Sequence, residues 1–495
     1  MATPLPPPLA TRPSRARWDA IVVGSGVGGA VTAALLAAAG REVLVVEKNP
    51  VPGGILASYR RDGFKIDTGS HLISRGERGP LAQVLRTIGG PTPRFLTHRI
   101  PVRSRGIFAA TAPTHRRGLV AVARQAVRDL RIPARDVRRL ARMMFHVFTL
   151  TEWELRRWDR RTLDAFVRRY TEHPGAYFLF SFLASIFFVL PPWQVSAGEA
   201  IRCLRWVLRD YRLSYVEGGM DSLGNAMLGR VVAGGGEIVT GARVAAIARD
   251  GDRLRVTTTT GDEVSAPAVA CNLAPDDLLA LLDAGAVPDD WAIRARAVQG
   301  SGSAHQLKLA LRRPLVDEGC VIGGLSPSGL TTADLTIDLM ERTVASIEAG
   351  RIADPLALYA PVPTNYDPSL APPGHQLIVA SIYGPIRDDP ADPPEAWRDA
   401  AIAAIERVIP GLRDELVFAE WTPVPAVARW MGKTNHGAIC NAQVPGQVGA
   451  DRLPVATPVP GLWLCGDGAG GRGIGTELAA SSGMEAAREI LEAAA

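Results

Sequence analysis

Residues 20–29 read AIVVGSGVGG, and this short stretch decides the fold. Its first four residues are apolar and predict a buried strand of a parallel sheet. Glycines follow at positions 24, 26 and 29 in the G-x-G-x-x-G spacing, and residues 30–39 are almost entirely Ala and Leu. A strand, a glycine-rich turn and a buried helix in this order predict a turn that holds a phosphate group.

Each of these three positions requires glycine for a steric reason. Gly24 makes the tight turn, Gly26 lets backbone approach a pyrophosphate, and Gly29 lets helix and strand pack closely. Residues 42–47, EVLVVE, predict the second strand, and Glu47 stands 23 residues after Gly24, where a carboxylate accepts hydrogen bonds from ribose hydroxyls. The stretch therefore predicts an adenine dinucleotide site. A glycine-rich turn without a ligand would leave Glu47 unexplained.

Composition narrows the class of protein. The chain has 495 residues, of which 47% are hydrophobic, and its net charge of +5 is too small to indicate nucleic-acid binding. Its five cysteines are scattered without a C-x-x-C pair, which predicts neither a metal site nor a disulfide framework and suits a reducing cytosol. The first 17 residues, MATPLPPPLATRPSRAR, are rich in Pro and Arg, and we expect a disordered tail rather than a signal peptide.

Both ends of the chain contribute to the predicted cofactor site. A nicotinamide-binding domain would continue its alternation of strands and helices well beyond Glu47. Instead, Pro-Gly-Gly follows at 52–54, and GLWLCGD occupies 461–467 near the other end. A strand that ends in Gly-Asp places the Asp467 carboxylate near a ribityl hydroxyl of the cofactor and the Gly466 backbone beside the pyrophosphate. Because two distant segments enclosing one cofactor are typical of large flavoproteins, we predict FAD rather than NAD.

These motifs resemble those of the phytoene desaturase, carotenoid isomerase and retinol saturase group, within the flavin amine oxidase superfamily. The N-terminal block is similar to that of amine oxidases in general. More specific to the group are YVEGGM at 215–220, DPSLAPPG at 367–374 and the tail segment at 473–483. His71, in the segment DTGSH at 67–71, is similar to the histidine of the D-x-G-x-H motif in saturase-like members.

The resemblance implies a set of cofactor contacts. The backbone of Val244 is expected to hold the adenine, and residues 475–478 are expected to line the isoalloxazine ring. Cys465 lies inside a predicted strand and the covalent attachment residues of other members have no clear counterpart, so we expect non-covalent FAD. The full set of expected contacts is Gly24, Ser25, Gly26, Gly28, Gly29, Glu47, Lys48, Gly53, Gly54, Ser70, His71, Val244, Gly466, Asp467, Gly475, Thr476, Glu477 and Leu478.

Two departures from the family and three candidate side chains leave alternatives open. The tail has Thr-Glu at 476–477 where the family often has Pro-Gly or Pro-Ala. Glu477 either lies near the flavin, where it acts as an acid–base group or orients water, or it is a first-turn Glu that faces the helix dipole. Ile55 replaces the Arg common in amine oxidases. His71 is either a proton-transfer group or a hydrogen-bonding support. Lys308 resembles the lysine that positions water near flavin N5 in amine oxidases, or it is a strand lysine that faces solvent.

The fold class that follows is α/β. A Rossmann-like FAD-binding domain of the glutathione reductase/amine oxidase type is expected to be interleaved with a mixed-sheet substrate domain and a helical subdomain. The expected segments are the tail at 1–17, FAD-binding parts at 18–110, 216–285 and 431–495, a helical, membrane-facing substrate subdomain at 111–215, and the substrate domain at 286–430.

The most apolar window, YFLFSFLASIFFVL at 177–190, has 14 residues and is short of the roughly 20 that span a bilayer. It is either plain core, or the wall of a substrate tunnel or a surface that dips into one leaflet. Residues 115–170 hold 15 Arg against 6 acids, which favours contact with anionic lipid over an ordinary solvated face. We expect a cytoplasmic enzyme that attaches peripherally to the inner face of the membrane.

The predicted activity is that of an FAD-dependent oxidoreductase or isomerase acting on C–C bonds of a hydrophobic polyene or isoprenoid by hydride transfer at flavin N5. Only at 20–39 does a G-x-G-x-x-G turn lead directly from an apolar strand into an apolar helix, so electrons are expected to go to oxygen, a quinone or no external acceptor. The alternative is a flavin amine oxidase or a tailoring oxidase of a secondary metabolite. A third possibility is a non-catalytic FAD-fold scaffold, against which the intact glycines argue.

Overall fold

The computed structural model describes residues 4–69, 72–107, 109–326, 328–385, 391–432 and 440–494. Its strands are, in chain order, β1 Ala20–Val23, β2 Val43–Val46, β3 Ser58–Arg61, β4 Phe64–Asp67, β5 Phe95–Leu96, β6 Val102–Ser104, β7 Ala110–Ala112, β8 Tyr215–Val216, β9 Glu237–Val239, β10 Val244–Asp250, β11 Arg253–Thr258, β12 Glu263–Ala266, β13 Ala268–Cys271, β14 Ser303–Leu311, β15 Cys320–Leu325, β16 Leu356–Pro361, β17 Gln376–Gly384, β18 Leu416–Thr422 and β19 Leu462–Leu464.

The α-helices include a run of six, α3 to α8, between β7 and β8. In chain order they are α1 Val27–Ala38, α2 Pro80–Ile88, α3 Leu119–Asp129, α4 Ala134–Thr149, α5 Glu152–Trp158, α6 Leu163–Val167, α7 Pro174–Phe188, α8 Ala197–Arg209, α9 Asp221–Ala233, α10 Pro275–Leu279, α11 Asp289–Arg296, α12 Ile337–Glu348, α13 Pro363–Tyr366, α14 Pro394–Val408, α15 Val424–Met431 and α16 Thr476–Ala493.

A five-stranded parallel sheet carries the opening motif. Its strand order is β19-β13-β1-β2-β9, so strands from the start, the middle and the end of the chain lie side by side. Alternate residues of β1 enter different cores, because successive side chains of a strand point to opposite faces. Ala20 and Val22 pack with α1, α9 and α16, whereas Ile21 and Val23 pack toward β10–β12. The predicted strand, turn, helix and strand are confirmed.

A second sheet of seven strands has the order β18-β14-β17-β16-β15-β6-β7 and is mixed, because β15 pairs in parallel with β6 while the other neighbours are antiparallel. All nine residues of β14 are buried. One face of the sheet packs on α14, whose Trp397 is fully buried. The α/β fold class with a mixed second sheet is confirmed.

The helices α4 to α8 form a separate apolar core, and α7 contains most of the window at 177–190. Tyr177 and Phe188 of α7 are buried in that core. The helix ends at Val189, which has a left-handed φ of 53°, and Pro191 follows two residues later. In the part of the chain that the structure describes, no helix is both long enough and apolar enough to cross a bilayer.

The prediction of a disordered tail is wrong for residues 4–17. Ala10 donates its N–H to the carbonyl of Ile238 at 2.9 Å and accepts one from Thr240 at 3.0 Å. The carbonyl of Ala16 accepts the N–H of Ser265 at 2.7 Å. Extended backbone can add to open strand edges, so this segment covers the outer edges of β9 and β12 despite its unstructured composition.

Candidate functional site

The carboxyl edge of the five-stranded sheet brings the glycine-rich turn together with the predicted contacts from the C-terminal segment. Gly24 follows β1 and donates its N–H to Val46 at 2.8 Å. Asn272 follows β13 and donates its N–H to Val23 at 2.8 Å, and Cys465, after β19, donates to Cys271 at 2.9 Å. In open parallel sheets, ligands bind at this edge, where the strand order reverses.

The glycine turn is packed so closely that side chains are excluded. Gly24 has a φ of +89°, which favours glycine. A Cβ on Gly28 would lie 2.4 Å from the Gly466 Cα, and one on Gly29 would lie 2.0 Å from the Gly24 carbonyl oxygen. The turn and the end of β19 therefore touch through bare backbone, as a cradle for a pyrophosphate requires.

Asn272 is a site residue that the sequence analysis missed. Its side chain lies under the turn, since a Cβ on Gly26 would come within 2.5 Å of Nδ2 and a Cβ on Gly466 within 2.2 Å of Oδ1. The sequence signal was available, because Asn272 is a polar residue immediately after the buried strand β13. We assign it a positioning role, because its side-chain amide lies against both Gly26 and Gly466.

Glu47 is almost completely buried and bonded to the glycine turn. Its Oε2 accepts hydrogen bonds from Ser25 N at 2.9 Å and Ser25 Oγ at 2.6 Å, and its Oε1 accepts from Asn49 N at 2.8 Å. Ser25 Oγ in turn accepts from Gly53 N at 2.9 Å. Glu47 thus connects β2, the first glycine segment and the second one, and its contact with ribose stays a prediction.

Lys48 and the second glycine pair form the neighbouring wall. Lys48 Nζ donates to the carbonyls of Arg429 at 2.8 Å and Trp430 at 3.0 Å, and burial lowers its pKa. Gly53 and Gly54 have φ angles of +105° and +58°, and a Cβ on Gly54 would lie 3.2 Å from the Gly26 Cα. The two glycine segments therefore lie against each other.

The remaining predicted contacts lie at the ends of other elements. Val244 begins β10 and is buried. Asp467 Oδ2 accepts the N–H of Asn441 at 2.7 Å, so this carboxylate orients the backbone at Asn441, and its contact with a ribityl hydroxyl stays a prediction. Ser70 and His71 lie outside the described residues.

Glu477 lies in the first turn of α16, after Gly475 with its φ of +51°. It is buried, accepts from Ser74 Oγ at 3.2 Å and pairs with Arg75 Nη1 at 3.4 Å. Burial raises the pKa of Glu477, and Arg75 opposes that shift. The carboxylate is held by this ion pair in addition to the helix dipole.

Lys308 does not face solvent, so that alternative is wrong. Its side chain is 2% exposed, and Nζ donates to the Thr68 carbonyl at 3.0 Å and to Gln306 Oε1 at 3.5 Å. Burial lowers the pKa of Lys308 to about 8. Gln306 Nε2 donates to Ser381 Oγ at 2.8 Å. This face of β14 therefore presents a short polar row to the segment that leads into residues 70–71.

An apolar cavity of about 50 Å³ lies among α4, α6, α7 and α8 and reaches the tail motif. Its wall includes Ile474, which stands between the two glycines of the Gly-Ile-Gly motif. The window at 177–190 is therefore both core and cavity wall. The lining residues are Met143, Val147, Leu163, Phe166, Val167, Phe180, Leu183, Ala184, Phe187, Phe188, Ala200, Ile201, Cys203, Leu204, Val207 and Ile474.

Comparison with known proteins identifies the family. The family described as flavin containing amine oxidoreductase matches residues 27–491. Phytoene dehydrogenase of Streptomyces griseus is 29% identical over 427 residues, 79% of this chain and 79% of that protein. The chloroplastic prolycopene isomerase of Daucus carota is 45% identical over 76 residues, which are 14% of this chain and only 12% of that protein.

Solved structures share the fold. An oxidoreductase from Methanosarcina mazei superposes with a TM-score of 0.69 at 19% identity, covering 96% of this chain and 99% of that one. Cyclohexylamine oxidase from Brevibacterium oxydans gives a TM-score of 0.68 at 16% identity, with coverage of 96% and 99%. The family match extends over nearly the whole chain, and the glycine cradle and the strand ends fit a flavin dinucleotide. The protein is a flavin-dependent oxidoreductase and belongs to the flavin-containing amine oxidoreductase family.

Proposed function

We propose that the protein binds FAD non-covalently and acts on C–C bonds of a long apolar substrate, a polyene or isoprenoid, by desaturation, saturation or cis–trans isomerisation. The observation that carries this proposal is the apolar cavity whose wall includes Ile474; at about 50 Å³ it has to widen to admit such a substrate. Ile474 lies within the tail motif whose resemblance places it under the flavin ring. The 29% identity to a phytoene dehydrogenase over most of both chains supports the same substrate class.

The residues that would hold FAD are those of the carboxyl edge. The turn at 24–29 would face the pyrophosphate, Glu47 the adenosine ribose, Asp467 the ribityl chain, and residues 475–478 the ring. When bound, FAD supplies N5, which accepts a hydride from carbon or returns one. The electron acceptor we propose is oxygen, a quinone or, for an isomerisation, none.

The chain's own contribution is water exclusion and proton handling. The cavity wall consists of apolar side chains and one thiol, which keep water away from a C–H bond that enters it. Lys308 is one proton-transfer candidate among the described residues, beside Glu477, because its buried amine has a pKa near 8 and is therefore partly neutral at physiological pH. Its hydrogen bond to the Thr68 carbonyl fixes the amine beside the segment that continues to His71.

The second candidate function is amine oxidation. Lys308 supports it, because a buried lysine on this strand resembles that of amine oxidases, and a cyclohexylamine oxidase shares the fold. The cavity opposes it, because none of its lining residues carries a carboxylate that could pair with a substrate ammonium. The polyene assignment is therefore the stronger of the two.

We also propose that α4 contacts a membrane. Its outward face carries arginines together with Phe145 and Phe148, which are 70% and 54% exposed, and Trp153 of the next helix is 61% exposed. Aromatic side chains that stand among arginines favour an anionic lipid surface. Met143 and Val147 of the same helix line the apolar cavity, so α4 separates the cavity from this surface. All five cysteines are free and buried, which suits a cytoplasmic location.

Anaerobic mixing tests the proposed chemistry. The purified protein would be mixed without oxygen with candidate polyenes in detergent and, separately, with primary amines, while flavin absorbance is followed. Bleaching by a polyene, or stoichiometric polyene isomerisation without bleaching, supports the proposal. Bleaching by amines alone would replace it with amine oxidation, and a protein without bound flavin that alters neither class would favour the scaffold alternative.

A further inference from the structure

A polar cleft of about 640 Å³ lies on the side of α16 that faces α2. Its walls come from the segment 75–83, the loop 449–454, the loop 470–472 and the α16 residues Ser481 and Glu485. None of its lining residues belongs to the set expected to contact FAD. The cleft is thus a second concave surface, and it adjoins the predicted FAD site, since Arg452 donates to the Asp467 carbonyl and Arg75 pairs with Glu477.

Four guanidinium groups converge on this cleft, from Arg75, Arg78, Arg452 and Arg472. Two of them are paired with acids outside its lining. Arg75 bonds Asp210 at 3.0 Å and Glu477 at 3.4 Å. Arg472 bonds Glu199 at 3.0 Å, and Arg202 shares that carboxylate.

The other two guanidiniums have no carboxylate within ion-pairing distance among the described residues. Arg452 is 9% exposed and donates to the carbonyls of Gly470 and Asp467, which are neutral acceptors. Arg78 is exposed at the mouth. Glu485 is the one acid in the lining, and its Oε2 already accepts the Gly471 N–H at 2.7 Å. The cleft therefore has more positive than negative charge on its walls.

We propose that this cleft binds a phosphate or diphosphate group. Guanidiniums match phosphate oxygens with paired, charge-assisted hydrogen bonds, and a multiply charged anion would balance the excess positive charge of Arg78 and Arg452. The group belongs either to a free phosphorylated small molecule or to a lipid headgroup. Arg75 connects the cleft to Glu477 at the start of α16, so an anion that draws Arg75 toward the cleft weakens its pairing with that carboxylate.

Titration of the flavin-loaded protein tests this site. Inorganic phosphate and inorganic pyrophosphate would be titrated calorimetrically at constant ionic strength, and phosphatidic acid vesicles would form a separate arm. We expect saturable binding, with pyrophosphate tighter than phosphate. Arg78→Gln removes a charge-assisted donor and is expected to weaken binding about tenfold. Gln83→Glu, an isosteric change on the exposed wall, places a negative charge in the cleft and is expected to weaken binding similarly.

The control is Arg255→Gln, which removes an exposed arginine from β11, outside the cleft, and should leave the affinity unchanged. Flavin content should be the same in all three variants. Saturable binding of free pyrophosphate assigns the site to a soluble phosphorylated ligand. Binding of the vesicles alone, lost in Arg78→Gln and Gln83→Glu, assigns it to a headgroup. Absence of saturable binding in every arm, or equal binding by all variants, overturns the proposal whatever the substrate of the enzyme is.

Discussion

At the residue scale, Glu47 shows how one carboxylate holds several segments in place. Its oxygens accept from Ser25 and Asn49, and Ser25 accepts from Gly53. Such a group is fixed before any ligand arrives, so a ribose that hydrogen-bonds to it finds an oriented acceptor. These hydrogen bonds also explain why a polar residue, Glu47, stands at the end of an otherwise apolar strand.

We predict that Glu47→Gln weakens FAD binding about tenfold to a hundredfold, because a hydrogen bond to a charged acceptor contributes about 1.5–3 kcal/mol. Titration of the flavin-free protein with FAD measures the change. Glu42→Gln, an exposed acid next to the same strand, is the matched control and should bind FAD normally. A change below about twofold in Glu47→Gln would contradict its assignment to the ribose.

Gly26→Val is expected to abolish flavin binding. Even the Cβ would lie 2.5 Å from Asn272 Nδ2, and the rest of the side chain would occupy the path of the pyrophosphate. The absorbance ratio of flavin to protein after purification measures the effect. Gly229→Val in α9, where a Cβ meets nothing within 4 Å, is the control. Full flavin content in Gly26→Val would exclude this turn as the pyrophosphate site.

Lys308 gives the enzyme a predicted pH dependence. Its pKa falls from 10.5 to about 8 in the folded protein because of burial, so the neutral amine forms as pH rises through about 8. If this amine accepts a proton, the anaerobic rate of flavin reduction rises through that pH and Lys308→Met removes the step. Lys65→Met, which removes a lysine paired with Asp221 at 2.7 Å, should keep it. A step that persists in Lys308→Met belongs to another group.

The same shift affects stability with a definite sign. Between pH 8 and 10.5 the unfolded state binds more protons at Lys308 than the folded state does. The contribution of this group to the free energy of unfolding therefore increases with pH across that interval. This interval lies above physiological pH. At physiological pH most of the Lys308 amine is charged, and burial of that charge lowers the free energy of unfolding.

At the element scale, α7 is mainly a core helix with one side on the cavity. Phe188 is 5% exposed and packs in the helical core, so it is not available to lipid. The exposed aromatics of this subdomain are instead on α4 and α5. The sequence pattern could not distinguish a core helix from a lipid-facing one, because the window at 177–190 is apolar on all sides and has no preferred face.

Phe188→Ala is therefore expected to lower the free energy of unfolding by about 3–5 kcal/mol, the usual effect of deleting a buried Phe side chain. Phe145→Ala, at a position that is 70% exposed, should change it by less than about 0.5 kcal/mol. Chemical denaturation of the flavin-loaded proteins compares the two. Equal stabilities would mean that α7 does not pack as described.

At the scale of the whole molecule, the α4 surface and the cavity behind it suggest how a water-insoluble substrate reaches the flavin site. We predict that co-sedimentation with liposomes rises with anionic lipid content and falls with salt, because each Arg near such a surface contributes about 1 kcal/mol. Replacing Phe145 and Phe148 with Ser should weaken it while flavin content stays intact.

Ile293→Ser is the control for this experiment, since Ile293 is 65% exposed but lies on α11, in another part of the chain. It should co-sediment like the unmodified protein. Failure of the unmodified protein to bind any liposome would rule out membrane contact and leave a cavity that is loaded from solution. Loss of binding in Ile293→Ser as well would indicate a nonspecific apolar effect.

The sequence by itself determined the nucleotide-binding start, because every signal there is local. An apolar strand, glycines at fixed spacing, an Ala-rich helix and a terminal Glu47 all lie within a short segment. Glu477 also lies in the first turn of a helix, α16, which is the position that one of the two alternatives for this residue required. Short-range hydrogen bonding and periodicity specify such elements before any distant contact forms.

Only the tertiary structure decided which distant segments meet. It placed Asn272 under the glycine turn, buried Lys308 against Thr68, gathered four arginines around one cleft, and laid residues 4–17 along two strand edges. Each result depends on pairing between strands or loops that are far apart in sequence, and local composition carries no record of such pairing. The proline-rich sequence predicted disorder, and the sequence left open whether Lys308 faces solvent, because burial is set by the neighbours that folding brings rather than by the residue itself.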